Sequence, residues 1–138
     1  MARLSLSGNN NNNNERDMDK IDSDYCKREG WIINRSGSEF ISYKGLIWLA
    51  HKKGLISLIA TPSFEEHERG FYCFRAVAIC EDQHGRRLQF EAEGDASPKN
   101  VGGMIKPHVR RMAETRAKAR ALRDLLGIGM CSVEELGG

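Results

Sequence analysis

The amino-acid sequence predicts an α+β fold, in which a helix is followed by a three-stranded antiparallel β-sheet and a long C-terminal helix, a β-β-β-α core. Three observations point there. Residues 71–80 form an aromatic and aliphatic run of strand length. Charged and glycine-containing turn signals flank that run at 65–70 and 81–85. A helical pattern then extends to Leu126, and Gly127 fits the position just past a helix end.

Taken in order, residues 1–24 read as a disordered polar tail. The asparagine run at 9–14 buries too little apolar surface to offset its ordering entropy. Residues 25–138 read as a single α+β domain. Trp31, Ile32 and Ile33 suggest a short extended segment closed by the turn Asn34, Arg35, Ser36, Gly37. Leu46, Ile47, Trp48, Leu49 and Ala50 supply the apolar face of a helix over 43–53, with Gly54 as its stop. A first strand follows over 55–60, with 62–70 as its hairpin connection. The second strand, over 71–80, is apolar on both alternating sets and is predicted to be central and covered on both faces. The third, over 86–93, alternates Arg87, Gln89, Glu91, Glu93 against Leu88, Phe90, Ala92, the pattern of a half-buried strand. Ser97 and Pro98 carry a helix-start signature, a capping hydroxyl followed by proline, and Pro107 restarts or kinks the helix that ends at Leu126.

Charge is nearly balanced, with 21 basic against 19 acidic residues and a formal net charge of +2, so overall charge does not identify a polyanion ligand. Its distribution is uneven. Lys106, Arg110, Arg111, Arg116, Lys118, Arg120 and Arg123 fall in one stretch with the single acid Glu114. The four cysteines, Cys26, Cys73, Cys80 and Cys131, form no CxxC pair and no ligand spacing with the histidines, which predicts free thiols rather than zinc or disulfides. No secretory start and no membrane-length apolar run is visible, which predicts a soluble cytoplasmic protein without membrane contact.

At about 100° per residue, Arg116, Arg120 and Arg123 fall within a stripe roughly 60° wide on the last helix. One turn is about 5.4 Å, near the spacing of successive phosphates, and each guanidinium can grip an anion with two donors. Ala113, Ala117 and Ala121 keep the adjoining flank thin, which lets a backbone approach closely. The competing reading is a solvated face partly neutralised by Glu114 and Asp124. Lys99, in the loop before the helix, offers a further phosphate contact. Tyr72 and Phe74 are candidates for base stacking or for the core. Glu91, Glu93 and Asp95 alternate along the third strand and could share a magnesium ion in a nuclease, although no hydrolase or nucleotide-binding motif accompanies them. His108 lacks a neighbouring nucleophile with a family signature, so the sequence predicts no enzyme and no cofactor.

The hairpin, the loop at 94–95 and the run from Met112 through Arg120, Ala121, Leu122 and Arg123 to Gly127, Ile128 and Gly129 resemble the single-strand annealing proteins of homologous recombination, the ring-forming annealing mediators and their phage and plasmid relatives. The likeness covers fewer than half of the residues. It implies single-stranded DNA as partner, strand annealing in recombination or repair, and assembly into a homo-oligomeric ring or filament. Arg120 and Arg123 would line the DNA groove, with Arg116 and Lys118 as weaker additions and Arg110, Arg111 and Lys99 nearby. This chain departs from the family in its short length, and Ala119 stands where a second adjacent basic residue belongs. The same order of elements also occurs in double-stranded-RNA-binding modules, which carry basic residues at the start of their last helix.

Overall fold

A computed structural model describes residues 19–103, 106–128 and 131–136. Helix α1 (Lys20–Arg28) starts at Asp19, whose carboxylate accepts the Asp22 N–H at 2.9 Å, and it buries Cys26. Ordered chain therefore begins before Tyr25. Residues 20–24 of the expected tail are helical, held by that cap and by the Lys52–Asp22 ion pair at 2.6 Å. The asparagine run lies outside the described residues.

Strands β1 (Ile32–Arg35) and β2 (Ser38–Ile41) form a hairpin closed by Ser36 and Gly37, both at positive φ, the two-residue turn that matches strand twist. The sequence shows β1 and its turn, whereas β2, only four residues long, carries too short a pattern to read as a strand. Ser42 caps α2 (Tyr43–Lys52) by accepting the Gly45 N–H at 3.2 Å, and α2 buries Leu46, Leu49 and Ala50.

The main sheet joins β3 (Leu55–Glu66), β4 (Phe71–Glu81) and β5 (Arg87–Ala96) in that order, all antiparallel. Helix α3 (Val109–Leu126) lies on one face, and Phe74, Ala76 and Ala78 of β4 are buried with Ala113, Ala117, Ala121 and Leu122 of α3. Register places Ala60, Ala76 and Ala92 side by side beneath the helix. This small-residue row lets the layers sit close. The opposite face of the sheet is open, so the expectation that β4 is covered on both faces is corrected. Ile59 is 60% exposed on that side and Phe64, past a bulge, 52%.

Between β5 and α3 the structure corrects a second expectation. Ser97 caps a turn rather than a helix: its hydroxyl accepts the Lys99 N–H, while its own N–H donates to the Asn100 side chain. Lys99 thus sits in a turn, and Pro107 lies in a 3-10 segment (Lys106–His108) that leads into α3. Gly127, at φ 71°, ends the helix where the sequence places the stop. The chain then returns as β6 (Cys131–Ser132), parallel to β2, and a final 3-10 turn (Val133–Leu136). Among the described residues no helix is long and apolar enough to cross a membrane.

Candidate nucleic-acid interface

The basic face of α3 turns inward. Arg116 is 4% exposed, and its guanidinium donates to the main-chain oxygens of Asp95, Asn100 and Glu134 and to the Asn100 side chain, at 2.9 to 3.1 Å. Burial, then the neighbouring charge of Arg120, lowers its pKa, while Asp95 and Glu135 act in the opposite direction. Its role is to tie the loop at 97–100 and the C-terminal turn to the helix.

Glu135 neutralises the rest of the row. Its carboxylate accepts from Arg120 Nε at 3.1 Å and from Arg123 at 3.0 Å, and also from the main-chain N–H and hydroxyl of Ser132. Burial raises the Glu135 pKa, but these donors outweigh it and hold the carboxyl below the usual glutamate value. Arg123 is 22% exposed, and its Nε has no hydrogen-bond partner among the described residues. Arg120, at 38%, is the member of the three that reaches solvent most, and it also donates to the Glu93 main-chain oxygen. Lys118 pairs with Glu114 one turn away. The alignment predicted from sequence is present, but the stripe grips the protein itself.

The thin alanine flank also serves the interior. A Cβ on Gly94 would fall 2.7 Å from the Arg116 carbonyl carbon and 2.8 Å from the Ala117 Cα, and closer still to the Ala117 nitrogen. The backbone that approaches α3 is that of β5. On the open side of β5, Glu91 and Glu93 both accept from Arg75, at 2.8 and 3.1 Å, and the Asp95 carboxylate accepts from Asn100 at 3.3 Å. Two of the three carboxylates suggested as a magnesium site are therefore occupied by one guanidinium.

Two of the predicted cations remain at the surface, at the opening of α3. Arg110 and Arg111 lie in its first turn beside His108, and with Gly70, Tyr72, Pro98, Pro107, Val109 and Glu114 they line a groove of about 420 Å³. Arg110 lies 5.0 Å above the ring of buried Phe74 and pairs with Glu65. Arg111 is exposed and has no carboxylate partner among the described residues. Tyr72 lines the same groove, and its hydroxyl meets His67 at 3.1 Å. Tyr72 and Phe74 thus divide the two roles open to them, Tyr72 lining the groove and Phe74 supporting Arg110 from the core. The groove escaped the sequence because it depends on where α3 begins, and Ser97 mimics that start. Lys99 is exposed in the adjoining turn but does not line the groove.

No family model matches the chain, and no curated protein matches it.

Proposed function

We propose that this chain binds single-stranded nucleic acid through its sugar-phosphate backbone at the groove opening α3, and that strand annealing in recombination or repair is the activity it serves. The observation that carries the reading is an exposed Arg111 without a carboxylate partner among the described residues, next to Arg110 in a groove that Tyr72 also lines, a pairing of phosphate-binding charge with an aromatic ring. Arg110 contributes as well, because a half-exposed ion pair such as Arg110–Glu65 costs little to exchange for a phosphate. The resemblance of the run through Arg120 and Arg123 to annealing proteins supports the same ligand, with those arginines shaping the fold and Arg120 the more exposed of the two. The outer edges of β3 and β5 have no partner strand among the described residues, which suits assembly of copies into a ring or filament.

A specific observation favours a second reading. Because α3 begins at Val109, Arg110 and Arg111 stand at the start of the last helix, where double-stranded-RNA-binding modules carry basic residues.

One titration separates the two. Labelled single-stranded DNA, duplex DNA, single-stranded RNA and duplex RNA are added over a salt series to the wild type and to Arg110→Ala/Arg111→Ala. Single strands are expected to bind most tightly, with affinity falling steeply as salt rises. The double variant should weaken binding about tenfold or more and flatten the salt slope by roughly one to two. Preference for duplex RNA would install the second reading, and an unchanged double variant would remove the groove from both.

A further inference from the structure

Tyr25 on α1, Trp31 before β1 and Trp48 on α2 are brought together by the fold. The Tyr25 and Trp48 rings stack with centroids 4.7 Å apart, and Trp31 meets Tyr25 edge-on and Trp48 at a tilt, each at 5.8 Å. All three are only partly buried. A cation crowns each ring: Arg28 lies 5.6 Å from the Tyr25 centroid, Lys44 5.8 Å from Trp31 and Lys52 4.8 Å from Trp48. Lys52 is also paired with Asp22, but Arg28 and Lys44 are exposed and have no carboxylate partner among the described residues.

Packing alone does not call for this arrangement. A core aromatic cluster needs no ring of lysine and arginine at its rim, and exposed cations without counter-ions repel one another. A ligand that is both aromatic and anionic uses every part of it. Bases stack on indole faces, and flexible cations holding those faces can swing to the flanking phosphates.

We infer that the Tyr25–Trp31–Trp48 cluster is a second contact for single-stranded nucleic acid, in which a nucleobase stacks on Trp31 in place of the Lys44 ammonium while Lys44 and Arg28 engage adjacent phosphates. This rests on the reading of the chain as a single-strand binder. The groove then supplies backbone charge, and the cluster supplies stacking with little sequence preference.

The chain contains two tryptophans, Trp31 and Trp48, so the Trp48→Phe variant reports on Trp31 alone. Its fluorescence is followed while an oligothymidylate of about twelve nucleotides is added, a length within the range of a single-strand site. An abasic oligonucleotide of equal length and polyglutamate are the controls. Strong quenching by the oligothymidylate alone is expected, and Lys44→Glu in the otherwise native chain should weaken its binding about tenfold. Equal quenching by either control, or none at saturation, overturns the stacking contact. If Arg110→Ala/Arg111→Ala loses binding while Lys44→Glu and the Trp31 signal are unaffected, the groove stands and the cluster does not. Absence of binding by the wild type overturns both.

Discussion

Replacing Arg116 by alanine is expected to destabilise the fold by about 3–5 kcal/mol, the range for removing one partner from a buried, hydrogen-bonded charge network. The substitution orphans the main-chain oxygens of Asp95, Asn100 and Glu134 at once and leaves a cavity where the guanidinium and its stem were. These oxygens belong to the end of β5, the loop after it and the C-terminal turn, so all three lose their shared anchor. Urea unfolding monitored by circular dichroism measures the loss. A change below about 1 kcal/mol would mean that Arg116 is not the internal tie described here.

Gly94→Val should be nearly as damaging, by about 3 kcal/mol or more, because the added side chain meets helix backbone rather than a movable side-chain tip. Space appears only if α3 lifts from β5, and that separates the buried row of Ala113, Ala117 and Ala121 from the sheet. Gly103 is the control. A Cβ there has nothing within 4 Å, and Gly103→Ala should change stability by no more than about 0.5 kcal/mol. Thermal or urea midpoints of the two variants check the pair, and equal midpoints would contradict the close approach.

The layout of the core was legible where local chemistry and tertiary packing agree. The alternation along β5, the apolar run of β4, the glycine stop of α3 and the apolar face of α2 each carry their own signal, and together they give a three-stranded sheet backed by the last helix. The start of α3 was misread for a physical reason. A serine followed by proline suits the first residues of a helix and equally a tight turn, and the choice falls to Asn100, whose side chain and main chain close the turn onto Ser97 and Arg116. Helix α1 was missed because it is polar, and its order comes from the Asp19 cap and a tie to Lys52 on α2, neither of which is periodic.

The site was legible in part. Spacing of four and three does align Arg116, Arg120 and Arg123, but spacing cannot say what the stripe faces. The partner is Glu135, only 12 residues beyond Arg123, together with carbonyl oxygens that no residue type announces. The small residues beside the arginines do admit a close backbone, and it is the protein's own. Arg110 and Arg111 were named from charge alone. What distinguishes them, a groove that Tyr72 also lines and a seat for Arg110 over Phe74, exists only once β4 and the true start of α3 are in place.

Arginine footprinting with phenylglyoxal, read by mass spectrometry on the native chain with and without an oligothymidylate, tests the division of labour among these arginines most directly. Arg111 should react quickly in the free protein and become protected by the oligonucleotide, whereas Arg116 and Arg123 should remain unreactive in both samples. Rapid labelling of Arg116 and Arg123 that the oligonucleotide suppresses, with Arg111 unaffected by it, would contradict the account and return the nucleic acid to the face of α3.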